Sequence, residues 1–185
     1  MQNYFQKEIE TMPVEQMKAL QSEKLVKQVK HVYENVPYYR AKMDEKGVTP
    51  DDIKGIEDLH KLPFLSKDDL RDAYPYGLLA KPLSECVRIQ STSGTTGRRV
   101  VAFYTQHDVD LWEDCCARAI VAAGGTNEDV CQVAYGYGLF TGGAGLHGGS
   151  HKVGCLTLPM SSGNTERQIQ FMNDLSATIL CCTPS

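Results

Sequence analysis

Between two apolar stretches the chain runs Ser91-Thr92-Ser93-Gly94-Thr95-Thr96-Gly97 and then Arg98, a concentration of hydroxyls and glycines that suits a phosphate group. Glycine lets successive backbone N–H groups turn inward into a concave anion site, hydroxyls add donors for tetrahedral oxygens, and the neighbouring guanidinium offsets charge. ATP is the first ligand that such a loop suggests. The pattern is not the common P-loop, which needs Gly-x-x-x-x-Gly-Lys-Ser/Thr opening a helix. Here Val100-Val101-Ala102-Phe103-Tyr104 follows the loop and reads as a strand. Taken by itself, the loop reads equally well as a Ser/Thr/Gly hairpin turn that binds nothing.

A second chemical cluster is Tyr135-Gly136-Tyr137-Gly138-Leu139-Phe140-Thr141-Gly142-Gly143. Tyr135 and Phe140 offer aromatic faces, and Gly142 and Gly143 leave room for a flat ring, so an aromatic acid fits. The competing reading is that Gly142, Gly143, Gly145, Gly148 and Gly149 only let a helix approach a sheet closely. A dinucleotide fingerprint, the mark of an oxidoreductase, fails twice: Thr141 stands where its third glycine belongs, and the strand ending Leu158-Pro159-Met160 lacks an acid for the ribose. His147 and His151 stand four apart, a metal-ligand spacing on a helix, but no third ligand accompanies them, so no metal site is expected. Cys131 and Cys155 lie in apolar strands and make poor nucleophiles, and no Gly-x-Ser-x-Gly elbow is present.

The elements that must position these residues follow from periodicity. Leu25, Val29, Val32 and Val36 recur at helical spacing until Pro37, so residues 1–85 read as a mainly helical segment. Thr49-Pro50-Asp51-Asp52 and Ser66-Lys67-Asp68-Asp69 are helix starts. From Cys86 the period shortens to two: Cys86–Gln90 and Val100–Tyr104 predict two strands that make a β-hairpin of the phosphate-type loop. Thr105-Gln106-His107-Asp108 starts a helix with Leu111, Trp112, Cys115 and Ala119 on one face, ending at Gly124-Gly125. Val130–Tyr135, Cys155–Leu158 and Ala177–Cys182 predict strands separated by helices near 141–153 and 165–175. Such spacing gives a parallel βαβαβ sheet, so residues 86–185 form an α/β segment. Ligands collect at the carboxyl ends of parallel strands, where Tyr135–Phe140 and Pro159–Gly163 fall.

Composition bounds the classes. At 185 residues and 42% apolar content, the chain can bury a core. A formal net charge of −4, with acids and bases interspersed, argues against nucleic acid. No apolar run reaches the ~18–20 residues of a membrane span and the start lacks a signal-peptide order, so a soluble cytoplasmic protein is expected. Seven cysteines without Cys-x-x-Cys form neither a disulfide framework nor a zinc ribbon.

The loop Ser91–Gly97 closely resembles the phosphate loop of the adenylate-forming superfamily, the acyl-CoA synthetases and their relatives. Val133–Gly143 with Leu158-Pro159-Met160-Ser161, and upstream Tyr33–Arg40 and Leu62–Arg71, are similar to segments of the phenylacetate–CoA ligase branch. The resemblance implies that the 86–185 segment is part of a larger AMP-binding domain, and that ATP, Mg²⁺ and CoA serve a small aromatic carboxylic acid. It implies ATP phosphates on Ser91, Thr92, Ser93, Gly94, Thr95, Thr96 and Gly97, acid on Tyr135, Phe140, Gly142 and Gly143, and cationic help from Lys67 and Arg98. By its local sequence alone, Lys67 reads first as an exposed lysine in a helix's first turn. The chain departs from the family at Arg98-Arg99, where Lys-Pro is usual, and the family continues beyond the matched segment. A fragment weak in catalysis is therefore expected, completed by a homodimer or a complementing C-terminal chain. A non-catalytic acid- or nucleotide-binding fragment is the alternative.

Overall fold

In the computed structural model, residues 4–92 and 99–183 are described. The chain divides into two compact units: residues 11–86 with 94–103, and residues 1–10, 87–93 and 104–185.

The helical unit contains α2 (Val14–Asn35), α3 (Pro37–Glu45) and α4 (Lys67–Asp72), which follow the four-residue α1 (Lys7–Glu10) of the other unit. Pro37 does two things at once. It cannot extend the helix before it, and its fixed φ suits the first position of the next, so α2 stops at Asn35 and α3 starts on Pro37. The predicted stripe faces inward at Val29 and Val36, and Met43, Val48, Ile53 and Leu62 complete the core around Val29. Both predicted helix starts are capping boxes: Thr49 with Asp52 opens a short 3₁₀ turn, and Ser66 with Asp69 opens α4.

The α/β unit carries most of β1 (Cys86–Ser91), the end of β2 (Val101–Thr105), α5 (Gln106–Ala122), β3 (Val130–Val133), α6 (Thr141–Val153), β4 (Leu156–Leu158), α7 (Thr165–Asp174) and β5 (Ile179–Cys181). The order β4-β3-β5 is parallel throughout, with Cys131 opposite Thr157 on one side and Ile179 on the other. This is the expected βαβαβ sheet. Ile120, Cys131, Val133 and Cys155 form its buried core. All seven cysteines are free thiols.

Two details of burial go beyond what the periodicity shows. On α5 the inward residues are Val109, Ala117, Ile120 and Val121, while Leu111, Cys115 and Ala119 face outward and Trp112 is half-buried. The partner contributes to this: α6 presents glycines to α5, so the backbones approach closely and Trp112, Glu113, Cys116 and Ala117 of α5 lie against them. A Cβ at Gly149 would lie 2.5 Å from the Cys116 Cβ, and one at Gly145 would enter the Trp112 ring. The second lies in β1, where the sequence shows the alternation without saying which face is buried: Val87 and Ile89 are exposed, whereas Gln90 is buried.

Candidate functional site

Of the predicted phosphate loop, Ser93, Gly94, Thr95, Thr96, Gly97 and Arg98 lie outside the described residues; Ser91 and Thr92 lie within. Ser91 closes β1, and its N–H donates to the carbonyl of Leu139 at 2.9 Å. One residue earlier, Gln90 is 4% exposed. Its side-chain amide meets only acceptors on one side, which assigns the nitrogen there, donating to the carbonyls of Gly138 at 3.1 Å, Leu139 at 2.6 Å and Phe140 at 3.2 Å. The beginning of the phosphate-type loop and the aromatic segment after β3 are thus tied together by backbone and side chain.

The aromatic segment is built by the end of β3 and the start of α6. Gly143 is buried where the chain doubles back: a Cβ there would sit 2.8 Å from the Gly136 carbonyl oxygen, so the tight return needs glycine. Gly142 lies against the ring of Tyr135, with 3.0 Å to a Cβ placed on it. Tyr135, Gly142 and Gly143 are therefore brought together. Phe140 caps α6 and is 52% exposed. The glycines read as helix-to-sheet spacers divide between two neighbours: Gly142 and Gly143 face the exit of β3, while Gly145, Gly148 and Gly149 face α5.

A third segment reaches the same end of the sheet. The Ser161 N–H donates to the Val133 carbonyl at 3.1 Å, and Gly136 approaches Ser162. Buried Gln132 on β3 donates to the side chain of Gln168 on α7 at 2.7 Å, and Gln168 donates to the Ser161 carbonyl at 2.7 Å. Sequence reasoning missed this relay and Gln90. Their only signal is a lone polar residue within an apolar strand pattern.

Lys67 belongs to the helical unit, exposed at the first position of α4. Around it α4 is anchored by Asp69, which caps Ser66, pairs with Lys42 and accepts a hydrogen bond from the Tyr38 hydroxyl at 2.9 Å. The Lys42 ammonium above all, then Ser66 and Tyr38, hold the Asp69 carboxyl well below the usual carboxylate range. His147 and His151 do meet on one face of α6, edge to face, with ring centroids 4.3 Å apart. Among the described residues no group of three His, Cys, Asp or Glu side chains could hold a metal ion, and no helix is long and apolar enough to cross a membrane.

The fold is that of the acyl-CoA ligases. The structure matches a 2-hydroxyisobutyryl-CoA ligase solved in complex with 2-HIB-AMP and CoA at a TM-score of 0.88 and 26% identity, over 96% of this chain and 39% of that one. By sequence the chain is similar to the phenylacetate-coenzyme A ligases: 50% identical to that of Aromatoleum evansii and 49% to that of Escherichia coli, each over 177 residues, and 47% to that of Thermus thermophilus over 181. These matches take in 96 to 98% of this chain and 40 to 41% of the relatives, so the chain spans about two-fifths of their length. No family model matches the chain.

Proposed function

We propose that this chain supplies the N-terminal part of an ATP-dependent aryl-acid CoA ligase. A carboxylate oxygen bonds to the α-phosphorus of ATP as the bond to the β-phosphate bridge breaks and pyrophosphate leaves. The CoA thiol, giving up its proton, then bonds to the acyl carbon of the acyl-adenylate and AMP departs. Such chemistry rests on positioning and charge neutralisation.

The observation that supports the reading is the junction of Ser91 and Gln90 with the Gly138–Phe140 carbonyls, which ties the end of β1, where the first predicted ligand segment begins, to the second. In this reading Ser91–Gly97 cradles the phosphates, Arg98 and Lys67 offset their charge, and Mg²⁺ arrives with the nucleotide. Tyr135, Phe140, Gly142 and Gly143 take phenylacetate or another aromatic acid. The 86–185 segment is then one part of an AMP-binding domain. The identities near 50% to phenylacetate-coenzyme A ligases support the aromatic acid, and the span of about two-fifths favours weak catalysis by the chain alone.

Pyrophosphate release with ATP, Mg²⁺ and phenylacetate tests the reading. Release that disappears in Gly94→Val, with the circular dichroism spectrum unchanged, supports it; release that survives that change removes the phosphate loop from the mechanism. A folded chain that binds ATP and phenylacetate without releasing pyrophosphate is instead a binding fragment, the second reading that the same span favours.

A further inference from the structure

Beside that junction, reached by Tyr137 and Arg88, the α/β unit holds a cavity of about 500 Å³. Its polar lining comes from Arg88 on β1, Glu113 on α5, Tyr137 after β3, and His147, His151 and Lys152 on α6. Four residues on a helix is just over one turn, so the two imidazoles share a face. The Tyr137 oxygen lies 3.2 Å from His147 Nδ1. With that hydroxyl donating, the neutral ring carries its proton on Nε2 and is itself a donor.

Arg88 is the group left incomplete. Its guanidinium lies over the Trp112 ring, 5.6 Å from the centroid, and its Nη1 is buried with no hydrogen-bond partner among the described residues. A buried charged donor without an acceptor bears its full desolvation cost, and an anionic ligand would relieve it. Lys152, by contrast, is engaged: it pairs with Asp114 at 2.7 Å and donates to the Asp110 carbonyl at 3.0 Å. Glu113 lies against Gly148, where any side chain would collide with its carboxylate.

We propose that this cavity binds a small tetrahedral oxyanion of the phosphate or sulfate class, with Arg88 as the anchoring cation and His147 and His151 as further donors. A resident metal ion fits the lining poorly, because a guanidinium and an ammonium share it with the imidazoles. Burial and the neighbouring His151 push the His147 pKa down while Glu113 opposes them, so the empty site holds a neutral His147 ring at pH 7. A bound dianion favours the imidazolium. Of the other groups facing the pair, Lys152 stays charged, its ammonium held by the hydrogen bond to Asp114, and Tyr137 stays neutral, its phenol raised by burial. Anion binding therefore takes up a proton and strengthens as pH falls.

The test is titration of the protein with sodium sulfate at fixed ionic strength, followed by amide NMR, since sulfate does not titrate between pH 5.5 and 7.5. Saturable shifts in residues 147–151 are expected, tighter at pH 5.5. Arg88→Met weakens binding about tenfold or more, the loss expected for one charged hydrogen bond. His147→Gln flattens the pH dependence, and Glu113→Gln, which removes the opposing carboxylate, tightens binding. No saturable response in the unmodified protein, undiminished binding by Arg88→Met, or weaker binding by Glu113→Gln would each overturn the proposal. The Glu113 arm reads a gain, so a misfolded variant cannot imitate the expected result.

Discussion

Gln90 does what no apolar residue at that place could do: one amide reaches three successive carbonyls, of Gly138, Leu139 and Phe140, in a segment that makes no regular secondary structure. Loop carbonyls cut off from water need such a donor. Gln90→Leu keeps the size and removes the donor, so it should lower stability by about 1–3 kcal/mol by leaving acceptors unmet. In an assay of pyrophosphate release it should raise KM for phenylacetate more than KM for ATP. A variant as stable as the parent would mean that water replaces the amide. Alternation within Cys86–Gln90 is visible in the sequence, but which face turns inward is not. The usual rule puts Val87 and Ile89 inside, and the loop's demand for a donor reverses it.

At the scale of elements, capping residues explain why several helix starts were legible. A Ser or Thr followed three residues later by Asp satisfies free N–H groups locally, whatever the rest of the fold does; Thr49, Ser66 and Thr105 all behave so. Asp69 adds a tertiary role, since its carboxylate also holds α4 to Lys42 and Tyr38 of α3. Its folded pKa lies below the unfolded value, so its contribution is complete above the ordinary carboxylate pKa near 3.9 and declines as pH falls toward the depressed folded value. Urea unfolding followed from pH 7 to pH 3 should therefore show stability falling below about pH 4, near the unfolded carboxylate pKa. Asp69→Asn should be less stable at pH 7 and less sensitive to acid. Parallel slopes for the two proteins would assign the acid loss to other carboxylates. The seam of α5 and α6 shows the limit of local reading: the glycines of α6 are plain in the sequence, but that they admit a second helix, with Cys116 and Ala117 of α5 set against Gly149, depends on a neighbour more than twenty residues away.

On the scale of the whole molecule the described residues form two hydrophobic cores, one around Met43 and Ile53 and the other around Cys131 and Val133. Met43 is fully buried. Met43→Ala should cost about 2–5 kcal/mol, read as a lower denaturation midpoint by circular dichroism; a loss below about 1 kcal/mol would mean that the helical core refills the space. The sequence divides near residue 86 into a helical and an α/β segment, but the return of residues 99–103 to the helical unit and of residues 4–10 to the α/β unit is a long-range matter on which periodicity is silent. The sequence alone determined the helix starts, the parallel strands with their helical crossovers, and the likeness to acyl-CoA ligases, because capping, hydrophobic period and glycine-rich loops act over a few residues. Only the tertiary structure decided which face of β1 and α5 is buried, that Gln90 and Ser91 grip the segment after β3, and that Arg88, Glu113 and the histidine pair share one cavity. These depend on which distant backbone groups come to lie opposite a side chain, and spacing along the chain carries no record of that.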